Sequence, residues 1–167
     1  MTGKLSCNIN CLVLSFLLLA VTTSPLLSQV KELKGIINDY GRVESFGTDW
    51  VIIKNDGANA GQLSKFEAGD TILLIQMKGV KTYASELGSY GTYEGPIGKP
   101  GEHEFLIAES VEAGTRKITF RNNIIHSGFS TEGDLQIVKV PTFNAAVVTD
   151  KLTCAPWDSL KKTGGVL

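Results

Sequence analysis

Reactive and metal-ligating side chains are scarce in this chain: its 167 residues hold three cysteines and two histidines. Cys7 and Cys11 sit before or at the start of an apolar run over 12–21 (LVLSFLLLAV). Removal of that leading segment leaves Cys154 as the one remaining cysteine, so no internal disulfide can form. Cys154 reads as a small, half-buried hydrophobe with no neighbour to support thiolate chemistry. Long hydrophobic runs are missing as well, because a bilayer-spanning helix takes about 20 apolar residues and 12–21 falls well short. Charge of one sign is also lacking, with 16 basic against 17 acidic residues. Without a basic stripe there is no electrostatic footprint for nucleic acid or for an anionic membrane surface.

What is present at the N-terminus is ordered as a secretory signal: Lys4, the apolar run, then the polar, breaker-containing Thr22-Thr23-Ser24-Pro25. Cleavage is expected near Ser28-Gln29, giving a signal peptide over 1–29. Lipid anchoring would need a cysteine directly after the apolar run, and none is there. The expected destination is the periplasm, the cell surface or the extracellular space. The remainder, roughly 138 residues, is enough for one domain with its own core. It divides into a β-rich module over 30–152 and a C-terminal segment over 153–167.

From Lys34 onward, short apolar stretches alternate with turn signals, and no apolar spacing of three and four persists over a helix length. Strands are expected at 41–46, 50–54, 71–77, 104–110, 117–121, 135–140 and 145–149. Two of these, TILLIQM and LQIVKV, follow directly on a Gly-Asp turn, Gly69-Asp70 and Gly133-Asp134. Gly and Asp tolerate the backbone of a chain reversal, and the β-branched residues after them suit a pleated surface. Gly47-Thr48-Asp49 and the stretch around Gly114 suit hairpin connections, whereas 55–63 and 88–101 are too rich in Gly and Asn for regular structure. The expected fold is all-β, an antiparallel β-sandwich or small β-barrel of about seven to nine short strands. An internal echo accompanies it: Val43-Glu44-Ser45, a turn, Val51-Ile52-Ile53 and Gly69-Asp70 compare with Ala108-Glu109-Ser110, a turn, Ile118-Thr119-Phe120 and Gly133-Asp134. We use this echo to pair strands, not to infer descent.

No constellation reads as an enzyme. In an extended stretch Glu102 and Glu104 point to one side and His103 to the other, and His126 has no evident carboxylate partner in its own neighbourhood. A glycosidase would need two carboxyl groups about 5 to 9.5 Å apart, and no pair can be nominated. Asn55, Asp56 and Asn59 offer oxygens to Ca²⁺, but Phe66 stands where an EF-hand loop closes with Glu, and turn formation explains the segment better. Tyr83, Tyr90 and Tyr93, flanked by Ser85, Ser89 and Thr92, could stack on sugar rings and form a binding face, or fold back over a sheet edge.

Read together, Ala68-Gly69-Asp70, LLIQMKG over 73–79, Val138-Lys139-Val140-Pro141, Ala155-Pro156-Trp157-Asp158 and Gly164-Gly165-Val166 resemble the N-terminal module of large gliding-motility-associated bacterial surface proteins of the type IX secretion route. The resemblance covers about 37–167. It implies a non-catalytic, secreted or cell-surface module that caps or precedes a larger protein and serves adhesion or assembly. Its partner would be a downstream β-rich region of the same or an adjacent chain, met at a junction formed by Trp157, Val166 and Leu167. Family members continue past Gly-Gly-Val into such a region, so the resemblance implies a fragment, a reading frame truncated after the module, or a stand-alone relic of it. In the family a Gly soon follows the Trp-Asp pair, whereas here Ser159-Leu160-Lys161-Lys162 intervenes. The competing reading is a carbohydrate-binding accessory module meeting surface polysaccharide, or the front end of a β-helix polysaccharide-degrading enzyme.

Overall fold

The computed structural model describes residues 30–82 and 93–167, and among them ten strands and two short 3₁₀ turns. Six strands close into a barrel: β2 (Asp39–Phe46), β3 (Trp50–Ile53), β8 (Lys117–Phe120), β7 (His103–Glu112), β4 (Thr71–Gln76) and β9 (Leu135–Val140), in that spatial order and returning to β2. Every neighbour in the ring is antiparallel. Of the two expected architectures the molecule therefore adopts the barrel, in which closure leaves no sheet edge. Alternate residues point inward, so Val43, Val51, Ile53, Ile72, Leu74, Leu106, Ile118, Phe120, Leu135 and Ile137 make one buried cluster. Phe66 and Phe129, from the loops before β4 and β9, complete it.

The strand count exceeds the expectation because three strands lack its sequence signals. β1 (Lys31–Ile36) pairs in parallel with β10 (Ala146–Thr153) as a ribbon outside the barrel, and β5 (Val80–Thr82) pairs with β6 (Tyr93–Pro96). Charge and a glycine break the alternation in KELKGI, while YEGP lies inside the Gly-rich stretch that composition assigned to irregular structure. Both are held by cross-strand partners, which override local preference. Among the described strands the β1–β10 ribbon is also the one departure from antiparallel pairing.

The echo in the sequence is a pseudo-two-fold of the barrel. Exchanging β2 with β7, β3 with β8 and β4 with β9 maps the ring of neighbours onto itself. The match extends to register. Val43 pairs with Ile53 and Ser45 with Ile52, leaving Glu44 in a bulge; Ala108 pairs with Phe120 and Ser110 with Thr119, leaving Glu109 in the same place. Backbone bonds come in related pairs: between the hairpins, Ile53 N–H to Arg116 O at 2.9 Å with Phe120 N–H to Asp49 O at 2.7 Å, and within them, Lys54 N–H to Arg42 O at 2.9 Å with Arg121 N–H to Ile107 O at 3.0 Å. The Gly-Asp turns fit this symmetry only after a slip of one residue. Tyr40 faces Val138 as Phe105 faces Leu73, which sets Leu73 against Val138 and hence Gly69 against Asp134. Both have left-handed backbone, with φ of 93° and 55°.

Strands β4 and β9 are covered on both faces. Inside, they meet the barrel core; outside, Leu73 and Val138 join Tyr40 in a second cluster that Ile75, Val140, Ala155 and Val166 pack against. The C-terminal segment supplies the last two of those side chains. This double cover explains why TILLIQ reads as a nearly unbroken apolar run instead of alternating.

Candidate functional site

Two recesses flank the loop between β3 and β4. The larger, of about 650 Å³, lies between that loop and the C-terminal segment, with Tyr40, Gln62, Lys65, Trp157, Asp158 and Lys161 in its wall. The smaller is an apolar cleft of about 320 Å³ under the same loop, with Ile53, Leu63, Phe66 and Val111 as its floor and Lys54 and Arg116 in its wall.

The larger groove exists because the C-terminal segment is latched to the barrel by polar groups that the sequence reading passed over. Fully buried Gln136 donates from Nε2 to Gly164 O at 3.0 Å and accepts from Gly164 N–H at Oε1 at 2.9 Å. Gly164 has φ of 107°, and a Cβ there would meet Pro156 O at 2.4 Å, so only glycine fits. The Tyr40 hydroxyl donates to Val166 O and accepts from Ala155 N–H. Burial pushes the Tyr40 phenol pKa up; the bond from Ala155 opposes that without reversing it. Asp158 Oδ1 accepts from Leu160 N–H at 2.9 Å and Lys161 N–H at 3.0 Å, closing the turn that lines the groove. The backbone bond from Lys161 is the main cause of that carboxyl ionising below its ordinary value.

Asp134 fastens the other side of the segment. Its side chain is 2 % exposed and lies 2.8 Å from Lys78 Nζ and 2.9 Å from Lys162 Nζ. Burial pushes its pKa up, but the two ammonium groups outweigh burial and hold the carboxyl below its usual range. Lys78 also stands 5.4 Å from the centroid of the Trp157 ring, a cation–π contact that ties the half-buried Trp157 to the strand system. Of the three junction residues, Trp157 thus lines the groove, Val166 packs on the outer cluster and Leu167 is exposed.

At the barrel mouth Gln76, also fully buried, donates from Nε2 to Lys78 O and Ile97 O at 2.6 Å each and accepts from Ser130 N–H at 2.7 Å. Gly133 is required there because a Cβ would meet Gln76 Nε2 at 2.3 Å and Lys78 O at 2.4 Å. Polar residues inside otherwise apolar strands were the available signal for Gln76 and Gln136, since a buried amide demands partners.

The expectation for His126 is corrected. Glu102 and Glu104 do share a side, and that side faces the His126 loop: His126 Nδ1 is 3.5 Å from Glu102 Oε1, while Glu104 accepts from Ile125 N–H at 3.0 Å and His126 N–H at 3.3 Å. The partners lie far along the chain, which is why local neighbours did not reveal them. Lys99 Nζ also reaches Glu102 Oε1, at 3.5 Å. His103 turns away, bonded to Gly101 O and set edge-on to Phe105. These contacts join loops to the barrel and form no nucleophile–base–acid chain. Among the described residues no group of three or more His, Cys, Asp or Glu is arranged to hold a metal ion. Asp56 Oδ1 accepts from Asn59 Nδ2 at 2.7 Å and Asn59 N–H at 3.2 Å, so the loop with Asn55 uses this carboxylate for its own turn. Tyr83 and Tyr90 lie outside the described residues, and Tyr93 begins β6.

The molecule is thus a closed six-stranded antiparallel barrel with a pseudo-two-fold axis, a latched C-terminal segment and an external two-stranded ribbon. No family model matches the chain, and neither a curated protein nor a solved structure matches it. No helix among the described residues is long and apolar enough to cross a membrane.

Proposed function

We propose that this chain is a non-catalytic exported module that caps or precedes a larger surface protein and serves adhesion or assembly. The observation that carries this reading is the β1–β10 ribbon. It is a parallel pair with nearly every residue exposed, bearing Ile36, Val147 and Val148 on its surface. Parallel pairs are normally covered on both faces, and an isolated two-stranded ribbon is marginal in water. Its outer edges offer backbone N–H and C=O groups to a further strand, the geometry of β-strand addition. The resemblance to type IX-secreted gliding-motility proteins supports the same reading, with a downstream β-rich region as the natural partner. Sedimentation velocity tests it. The chain is expected to self-associate reversibly as concentration rises and Val148→Lys to suppress this, whereas a monomer at every concentration counts against the reading.

The second reading, a carbohydrate-binding module, is favoured by the groove of about 650 Å³ that sets the Trp157 ring among Gln62, Lys65, Asp158 and Lys161. Retention on a polysaccharide column that is lost in Trp157→Ala, or in Tyr90→Ala with Tyr93→Ala, would establish it over the assembly role.

A further inference from the structure

The two halves of the barrel differ at one place that the symmetry makes conspicuous. Phe46 pairs with Val51 on β3, and Val111 pairs with Ile118 on β8, so Phe46 and Val111 hold equivalent positions. In one half the Phe46 ring packs edge-on to Phe129 at 6.5 Å between centroids, and Ile124 lies against the same core. In the other half the loop before β4 supplies Phe66 and Leu63 to the core, but the smaller Val111 stands at the position equivalent to Phe46. The volume that a phenyl ring fills on one side is open on the other, as the cleft of about 320 Å³.

We propose that this cleft binds a small arylalkyl carboxylate, with its ring in the place that Phe46 occupies in the other half. An apolar cavity of about 150 Å³ suffices for benzene, so the cleft has room for a ring and a short chain. The floor supplies the ring contacts through Ile53, Leu63, Phe66 and Val111, and the cations Lys54 and Arg116 are the charged groups lining the cleft. Glu44 and Asp56 pair with these cations, yet the Lys54 contacts are long, 3.8 Å to each carboxylate. Among the described residues Arg116 engages Glu44 and Ile53 O through Nη1, leaving guanidinium N–H groups for a ligand carboxylate. The site lies away from the β1–β10 ribbon, and its occupation does not depend on the assembly role.

The test is an amide-resolved NMR titration of the full chain with 3-phenylpropionate. Saturable shifts are expected at the amides of Ile53, Leu63, Phe66, Val111 and Ala113, with phenethylamine binding at least about tenfold more weakly because it presents a cation to Lys54 and Arg116. Val111→Phe copies the other half and is expected to remove the shifts while keeping or raising the melting temperature. Val111→Leu, a smaller change that the fold tolerates more readily, is expected to weaken binding several-fold. Absence of saturable shifts up to about 10 mM, a weak-binding limit, overturns the proposal. So does a Val111→Phe protein that still binds like the wild type, or equal binding of the amine.

Discussion

Asp134 concentrates several demands on one residue. It must adopt left-handed backbone, lie buried at the start of β9 and compensate two ammonium groups. Asn tolerates the same backbone and has the same shape, so Asp134→Asn isolates the charge. Lys78 and Lys162 are partly exposed and can recover water, which limits the cost to about 1–3 kcal/mol at neutral pH. The pH dependence follows from the depressed pKa. A carboxyl that ionises more readily in the folded state than its ordinary 3.8 stabilises the fold fully above that value and loses the contribution as pH falls through the folded pKa. Urea unfolding of both proteins should therefore show a gap at pH 7 that narrows below about pH 4. A gap that stays constant down to pH 2 would show that Asp134 acts through shape and not through charge.

The glycines of the two Gly-Asp turns separate at this same scale. Gly69 has φ of 93° with open space where a Cβ would go, so Gly69→Ala carries backbone strain alone, about 1–2 kcal/mol. Gly133→Ala drives a Cβ into the Gln76 amide and the Lys78 carbonyl and breaks the bonds that seal the barrel mouth. It is expected to cost at least about 3 kcal/mol, and thermal melts of the two alanine proteins should rank accordingly. Two dipeptides identical in sequence thus do different work, one supplying conformation and the other clearance.

At the scale of elements, the C-terminal segment behaves as an added layer. It covers Tyr40, Leu73 and Val138 and is fixed by Gln136, Tyr40 and Asp134. Removing 154–167 should expose that outer cluster, lower the melting temperature and induce binding of a dye specific for apolar surface, while far-UV circular dichroism keeps its β signature. Unchanged stability would mean that the segment rests on the barrel without supporting it. Elements rich in β-branched and apolar residues and bounded by turn signals were legible from local sequence: LQIVKV is β9 to the residue, and TILLIQ and KITF lie within one residue of the expected spans. β1, β5 and β6 were not, because their strand character comes from partners elsewhere in the chain. The site residues divide the same way. Trp157 stood out in the sequence as a large apolar group in need of cover, but not as part of a groove wall, and the meeting of Glu102 and Glu104 with the His126 loop depends on barrel closure.

For the whole molecule, pseudo-two-fold closure predicts an uneven distribution of stability. The hairpins β2–β3 and β7–β8 are local, but each is joined to the other half through β4 and β9, whose ring contacts span most of the chain. No half can close without its counterpart, so the barrel should unfold as one cooperative unit. The β1–β10 ribbon stands outside that closure, exposed on both faces and stitched by a parallel register with an irregularity between Leu33 and Gly35. Native-state hydrogen exchange should separate the two. Amides of β4 and β9 are expected to exchange only through global unfolding, with a denaturant dependence matching the full transition, while those of β1 and β10 open at far lower free energy. If addition of a further strand is what the ribbon serves, this inequality is functional, because a ribbon that opens locally can accept a partner without disturbing the barrel. Equal protection in ribbon and barrel would instead make the ribbon part of the cooperative core, and would remove the physical basis for treating it as the assembly edge.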